Sequence, residues 1–360
     1  MTPKSEQELA EIIAGSDGPL RIMGGGTRPI GRVEAAPLST GGMSGITLYE
    51  PGALTLVAQA GTPVAEITAA LAAENQRLAF EPMDHRPLLG TVGEPTIGGV
   101  IAANVSGPRR IAVGAARDFA LGVRFVDGAG RIIKNGGRVM KNVTGYDLVK
   151  LMAGSYGTLG VLTEVALKVL PDVEAATSLV LDGLDDTTAI QAMSAALGSP
   201  YEVSGVAHDP QAGKTRFRLE GFASSVAYRA AALGKALARF GTAVEADTDW
   251  AAIRDVTAFA RQAGDVWRIS TKPSEAAALV ARIGADAVQY DWGGGLIWVL
   301  MPGGADLRAL LGAFDGHATL IRGAVDTPSF QPEPAPLAAI SAGLRAKFDP
   351  RGILNLGMMT

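Results

Sequence analysis

Apolar residues recur with period two in short runs, and glycine or proline separates the runs. Residues 20–23, 46–50 and 54–60 predict strands, the last two joined by Pro51-Gly52. Ser5, with Glu8 three positions on, predicts a capping box and a helix to Ala14, and Thr62-Pro63 opens a second helix to about Asn75. Small side chains over 96–105 predict a helix or extended turn. Residues 119–126 and 132–134 predict a hairpin around Asp127-Gly128-Ala129-Gly130, followed by a helix over 147–152 and a strand over 161–169.

Beyond Pro171 glycine clusters become sparse and strand and helix patterns alternate. Strands are predicted near 177–182, 202–207, 215–221, 265–270, 286–291, 295–301 and 317–322, and helices near 186–197, 224–239, 273–283 and 305–314. The order fits a pair of split β-α-β lobes. A proline-rich stretch over 329–336 leads to a final helix over 337–347. The expected class is α+β, with domains at 1–171 and 172–328 and a closing segment, 329–360, that returns to the first domain.

Composition narrows the chemistry. The 360 residues contain no cysteine, which excludes disulfides, thiolate metal sites and iron–sulfur ligation by this chain. A net charge of −4 gives no reason to expect nucleic acid. No apolar run reaches the length of a membrane span, and residues 1–6 lack an apolar signal core, so the expected compartment is the cytoplasm.

Glycine is abundant at 46 residues, and its clusters carry the strongest signal. Gly24-Gly25-Gly26-Thr27 follows a strand and offers backbone N–H groups to an anion, although a tight turn explains it equally well. It is neither a Walker loop nor a dinucleotide fingerprint. Thr96-Ile97-Gly98-Gly99 with Ala102-Ala103-Asn104 suits close passage along a planar ligand, or close packing of helix on strand. Gly154-Ser155-Tyr156-Gly157-Thr158-Leu159-Gly160 precedes a buried strand.

Together with Lys141-Asn142-Val143-Thr144-Gly145-Tyr146-Asp147-Leu148 and Phe348-Asp349-Pro350 through Asn355, these clusters resemble the flavoproteins typified by vanillyl-alcohol oxidase and p-cresol methylhydroxylase. The resemblance implies a two-lobed FAD-binding domain and an α+β cap with ferredoxin-like lobes. Within the family the chain is most similar to FAD-binding subunits of glycolate oxidase complexes, on Gly107-Pro108-Arg109-Arg110, Arg117-Asp118-Phe119 and Gly136-Gly137-Arg138. It implies non-covalent FAD, glycolate oxidation to glyoxylate, a catalytic flavoprotein subunit and an iron–sulfur subunit as partners, and attachment to the inner membrane face through them. The cofactor-binding residues it implies are Gly24, Gly25, Gly26, Thr27, Pro82, Gly93, Thr96, Ile97, Gly98, Gly99, Ala103, Asn104, Gly107, Gly160, Val161 and Asn355.

The histidine cluster of hydroxy-acid-oxidising relatives is missing, since the three histidines stand far apart at 85, 208 and 317. His85 is expected in a solvated loop, with covalent attachment to FAD as the alternative. No metal ligands are expected. Arg268 is a candidate carboxylate anchor or an edge-strand arginine facing water, and Tyr146 is a candidate donor near the flavin or a packed aromatic before a helix cap. Arg109 and Arg110 suit pyrophosphate, a partner subunit or surface ion pairs. A stand-alone hydroxy-acid dehydrogenase and a scaffold with a vestigial flavin site remain the alternative functions.

Overall fold

The computed structural model describes residues 1–31, 33–138, 145–323 and 328–359. Residues 139–144, which include the Lys141-Asn142-Val143-Thr144 half of the motif ending at Leu148, lie outside this set.

The first lobe is small and assembled from distant pieces. Helix Glu6–Ala14 packs with strands β1 (Leu20–Met23) and β2 (Ala36–Ser39), which pair in parallel. Ser5 caps the helix by accepting from the Glu8 N–H, whereas the Glu8 carboxylate reaches Lys4 N–H rather than Ser5, so the capping box is shifted by one residue. Leu354 forms a parallel bridge with Leu20, and Ile353 and Leu354 join Leu9, Ile13, Leu20 and Leu38 in one buried cluster. Ile353 and Leu354 are therefore part of this lobe's core, with Asp349 and Asn355 also buried.

The second lobe is an antiparallel sheet of β3 (Ile46–Glu50), β4 (Thr55–Gln59), β6 (Ala120–Val126), β7 (Ile132–Gly136) and β8 (Val161–Lys168), in the order β3-β4-β8-β6-β7. Short β5 (Gln76–Arg77) and β9 (Leu170–Pro171) pair beside it. The alternation in 54–60 is overridden, because β4 lies inside the sheet and is buried on both faces over Thr55–Ala58.

The cap is a single eight-stranded antiparallel sheet. Its strands are β10 (Ala175–Asp182), β11 (Val203–Asp209), β12 (Lys214–Gly221), β13 (Val244–Glu245), β14 (Asp265–Thr271), β15 (Ala287–Asp291), β16 (Leu296–Met301) and β17 (Gly316–Arg322), in the order β13-β10-β12-β11-β15-β16-β14-β17. Each half is a βαββαβ unit, and the second strands of the two units, β11 and β15, join edge to edge through Ala207↔Asp291 and His208↔Tyr290. The two expected lobes thus share one continuous sheet, which leaves fewer free edges than two separate ones.

The sheet's two faces serve different cores. Trp267, Ile269, Tyr290, Ile297 and Val299 pack under the cap helices. On the opposite face, Val266, Ala287, Leu296, Trp298, Leu300 and Ile321 share a buried cluster with Phe80, Ile97, Phe119 and Phe125 of the second lobe. The hydrophobic core therefore crosses the expected boundary at residue 171.

An ion network ties the same interface. Glu220 accepts from Arg109 at 2.8 and 2.7 Å and contacts Arg77 at 3.1 Å, while Glu81 accepts both Arg218 terminal nitrogens at 2.9 Å. Burial alone would raise the Glu220 pKa, but Arg109 and Arg218 outweigh it and hold this carboxyl well below the usual range. Glu220→Gln leaves two buried guanidiniums short of a counter-charge and is expected to cost about 3 kcal/mol near neutral pH. A depressed carboxylate stabilises the fold fully above its unfolded value near 4.5 and loses that contribution as pH falls below it. The gap between wild type and variant in denaturant unfolding should accordingly narrow below about pH 4.5; a gap constant with pH would refute the assignment.

Candidate cofactor cleft and cap cavity

The first two glycine clusters lie against each other. A Cβ on Gly25 would sit 1.7 Å from the Glu94 carbonyl oxygen, and one on Gly93, at φ +102°, would sit 2.4 Å from the Gly25 oxygen. Loop 24–26 and segment 93–96 thus approach at backbone distance. Thr96 caps helix Ile97–Ala102, its hydroxyl accepting from Gly99 N–H at 3.4 Å, and the helix start faces the space these loops enclose.

That space is an open cavity of about 340 Å³, predominantly apolar, running between the two lobes. Of the residues expected at the cofactor, Gly24, Gly25, Gly26, Thr27, Thr96, Gly98, Gly99, Ala103, Gly160, Val161 and Asn355 line this cavity. Asn104 and Gly107 line a second cavity instead. Pro82, Gly93 and Ile97 line neither: Ile97 is fully buried in the core, and Gly93 serves the loop contact just described. A cleft walled by backbone and small side chains, with a loop's N–H groups at one end, fits an extended ligand bearing phosphates and a flat ring system.

Asn355 lines the cleft but its side chain is already engaged. Its Oδ1 accepts from Ile22 N–H and its Nδ2 donates to the Tyr156 carbonyl, both at 2.7 Å, so it holds the first lobe to the 154–160 loop rather than reaching for a ring. Tyr146 is exposed at 88%, lines neither cavity and is not a packed aromatic; its carbonyl accepts from Asn135 Nδ2 and from Leu148 N–H. Asp147 does cap the following helix, through Lys150 N–H.

The second cavity, about 250 Å³, lies under the cap sheet and shares Arg28, Met83, His85, Ala103, Val105 and Tyr156 with the first. His85 is buried at 5% exposure, contrary to the solvated-loop expectation, because the cap covers its loop. Its Nε2 accepts from Arg28 Nε at 3.1 Å, and burial, reinforced by the Arg28 charge, holds its pKa well below the usual value and keeps it neutral. Arg28 also donates to the Tyr156 hydroxyl at 3.1 Å.

Arg268 is not an edge residue facing water. Strand β14 lies between β16 and β17, and Arg268 sits opposite Trp298 and Thr319 on the face toward the cavity. Its guanidinium lies 5.3 Å from the centre of the Trp292 ring, and that of Arg110 lies 4.6 Å from the same ring. Burial lowers the Arg268 pKa to about 10, so it stays charged. Arg109 belongs to the interface network, which separates the roles of the adjacent pair. His85 and His317 line the same cavity, while His208 is buried at the junction of the cap's halves.

Sequence reasoning passed over Arg28, Tyr156 and Trp292 as site residues. The signal for Arg28 was its position directly after Gly-Gly-Gly-Thr; Tyr156 was the one aromatic side chain in its glycine loop.

The bilobed α+β fold and its glycine-lined cleft define a flavoprotein of the p-cresol methylhydroxylase type. Residues 1–136 match a family model described as FAD binding domain. The chain is 38% identical to glycolate oxidase subunit GlcE of Escherichia coli over 317 residues, covering 88% of this chain and 84% of the relative. It therefore belongs to the GlcE family of FAD-binding glycolate oxidase subunits. Glycolate oxidase subunit GlcD of Bacillus subtilis is 44% identical over 85 residues, 24% of this chain and 18% of that protein. A solved structure of alkyldihydroxyacetonephosphate synthase superposes with a TM-score of 0.71 at 16% identity, covering 99% of this chain and 76% of the other, which establishes the shared fold.

Replacing Asn355 by Ala removes two buried hydrogen bonds and is expected to destabilise the protein by about 2 kcal/mol. Amide hydrogen exchange at Ile22 should accelerate in the variant; unchanged protection would contradict the stitching role.

Proposed function

We propose that the chain is the FAD-binding subunit of a glycolate oxidase complex and that it holds FAD non-covalently. The observation that carries this is the cleft between the lobes, walled by loop 24–27 and helix Ile97–Ala102 and continuous with a cavity under the cap. The likeness to GlcE along most of both chains supports the assignment to a multi-subunit glycolate oxidase. Bound FAD supplies an acceptor for the electrons of a 2-hydroxy acid.

The protein's own residues would do three things. Loop 24–27 would present N–H groups to the pyrophosphate, at the place where Gly25 is pressed on Glu94 and cannot move away. The small residues Gly98, Gly99 and Ala103 would leave room for the flavin and ribityl portion. Arg28, tied to His85 and Tyr156, would put a fixed positive charge where the two cavities meet. Of the two ring nitrogens of His85, Nε2 already accepts from Arg28, which supports non-covalent attachment.

With no cysteine in the chain, electrons would leave to a partner, for which an iron–sulfur subunit is the natural acceptor beside a second flavoprotein subunit. Among the described residues no helix is long and apolar enough to cross a membrane, so attachment at the inner membrane face would come through those partners.

Purified protein should carry about one FAD per chain, released completely into the supernatant by acid precipitation. A flavin that stays with the precipitate would refute the non-covalent mode. Gly99→Leu, whose Cβ would sit 3.2 Å from the Thr96 hydroxyl and whose side chain would enter the cleft, should lower FAD occupancy at least tenfold, with the melting temperature of the apoprotein reporting whether the variant folds.

A further inference from the structure

The buried polar groups on the cavity-side face of the cap sheet are mostly committed: Arg218 and Glu220 belong to the interface network and Gln289 donates to the Ile253 carbonyl, but one patch is not. Leu296, Trp298, Leu300 and Ile321 pack into the core, while Arg268, Ser270, Asp291 and Thr319 stand among them. Strand register places these four together: Ser270 and Asp291 both face Leu296 from either side, and Arg268 faces Thr319. All four line the second cavity.

Their hydrogen-bonding capacity is scarcely used. Among the described residues the Arg268 guanidinium and the Ser270 and Thr319 hydroxyls have no partner, and Asp291 uses only Oδ1, which accepts from Trp292 N–H at 2.7 Å. Arg28, Arg110 and Arg268 have no carboxylate partner there, in contrast to Arg109 and Arg218 at the interface. These groups open onto the cavity rather than onto other protein groups, which leaves their hydrogen-bonding capacity free for a ligand. Three unneutralised guanidiniums select an anion, and a planar fork selects a carboxylate.

We propose that this cavity is a binding site, within the chain itself, for a small 2-hydroxy or 2-oxo monocarboxylate. Arg268 holds its carboxylate and Asp291 hydrogen-bonds its 2-oxygen. Arg110, stacked on the same indole, adds positive potential, and Ser270 and Thr319 offer further hydroxyls. Burial pushes the Asp291 pKa up to about 7, so it can accept from a hydroxyl when ionised or donate to an oxo group when protonated. The acid then lies beside the wall of Arg28, Met83, His85 and Tyr156 that borders the cofactor cleft. The inference rests on the flavoprotein reading for what occupies that cleft, but not for binding of the acid.

The test is titration of the full-length protein with glycolate, glyoxylate and acetate, followed by tryptophan fluorescence and by calorimetry, with FAD content measured on the same samples. Glycolate and glyoxylate should bind more tightly than acetate. Arg268→Gln should weaken all three roughly 10- to 100-fold, with Arg268→Lys intermediate, and Asp291→Asn should erase the preference over acetate. Melting temperatures report folding of each variant, and the lysine variant keeps the test open if glutamine does not fold. Wild-type protein that carries FAD yet binds none of the acids, or binds them equally well as Arg268→Gln, overturns the acid site and leaves the flavin assignment standing. Protein that binds the acids through Arg268 but carries no FAD overturns the flavin assignment instead.

Discussion

The contact between loop 24–26 and segment 93–96 is the constraint on which the rest of the site depends. Two backbones meet there with no room for a side chain, and that contact fixes one wall of the cleft relative to helix Ile97–Ala102. Because the loop belongs to the first lobe and the helix to the second, the contact also sets the angle between lobes. The glycines serve twice: they let the chain touch itself, and the surface left over is smooth enough for a flat ligand.

The cap is held by a different kind of interaction. A shared apolar core supplies the area, and the paired arginines and glutamates at 81, 109, 218 and 220 supply register, since displacement would strand a buried charge. Across the same sheet face Arg218 is fully paired, whereas Arg268 has no carboxylate partner among the described residues. That contrast separates structural charges from those available to a ligand, a distinction their exposure alone does not make.

Most elements were legible because period-two and helical patterns survive wherever one face is buried. The order of the cap strands was not, and it decides the meaning of Arg268: an arginine in a short strand faces water at an edge and a cavity when β16 and β17 flank it. His85 reads as a loop residue because the residues that cover it come from the cap, far along the chain. The glycine clusters showed that something approaches closely, without separating ligand from protein. Gly93 turned out to meet Gly25, and Asn355 to meet Ile22 and Tyr156, whereas Gly99 faces the cleft. Tyr146 was singled out from its place in a motif, and nothing in its local sequence revealed that its ring points away from the body.

The first lobe has a consequence for how the protein is made. Its core needs Ile353 and Leu354 beside Leu20, and Asn355 beside Ile22, so the residues synthesised first wait for those synthesised more than three hundred positions later. On the ribosome the cap's local βαββαβ units can form as they emerge, while helix Glu6–Ala14 and its strands have an incomplete core. The cleft needs both lobes, so the nascent chain has no finished cofactor site until residues 349–355 dock. A flavin held between the lobes would therefore find its complete site only after those residues have docked, and until then the first lobe keeps its apolar face open.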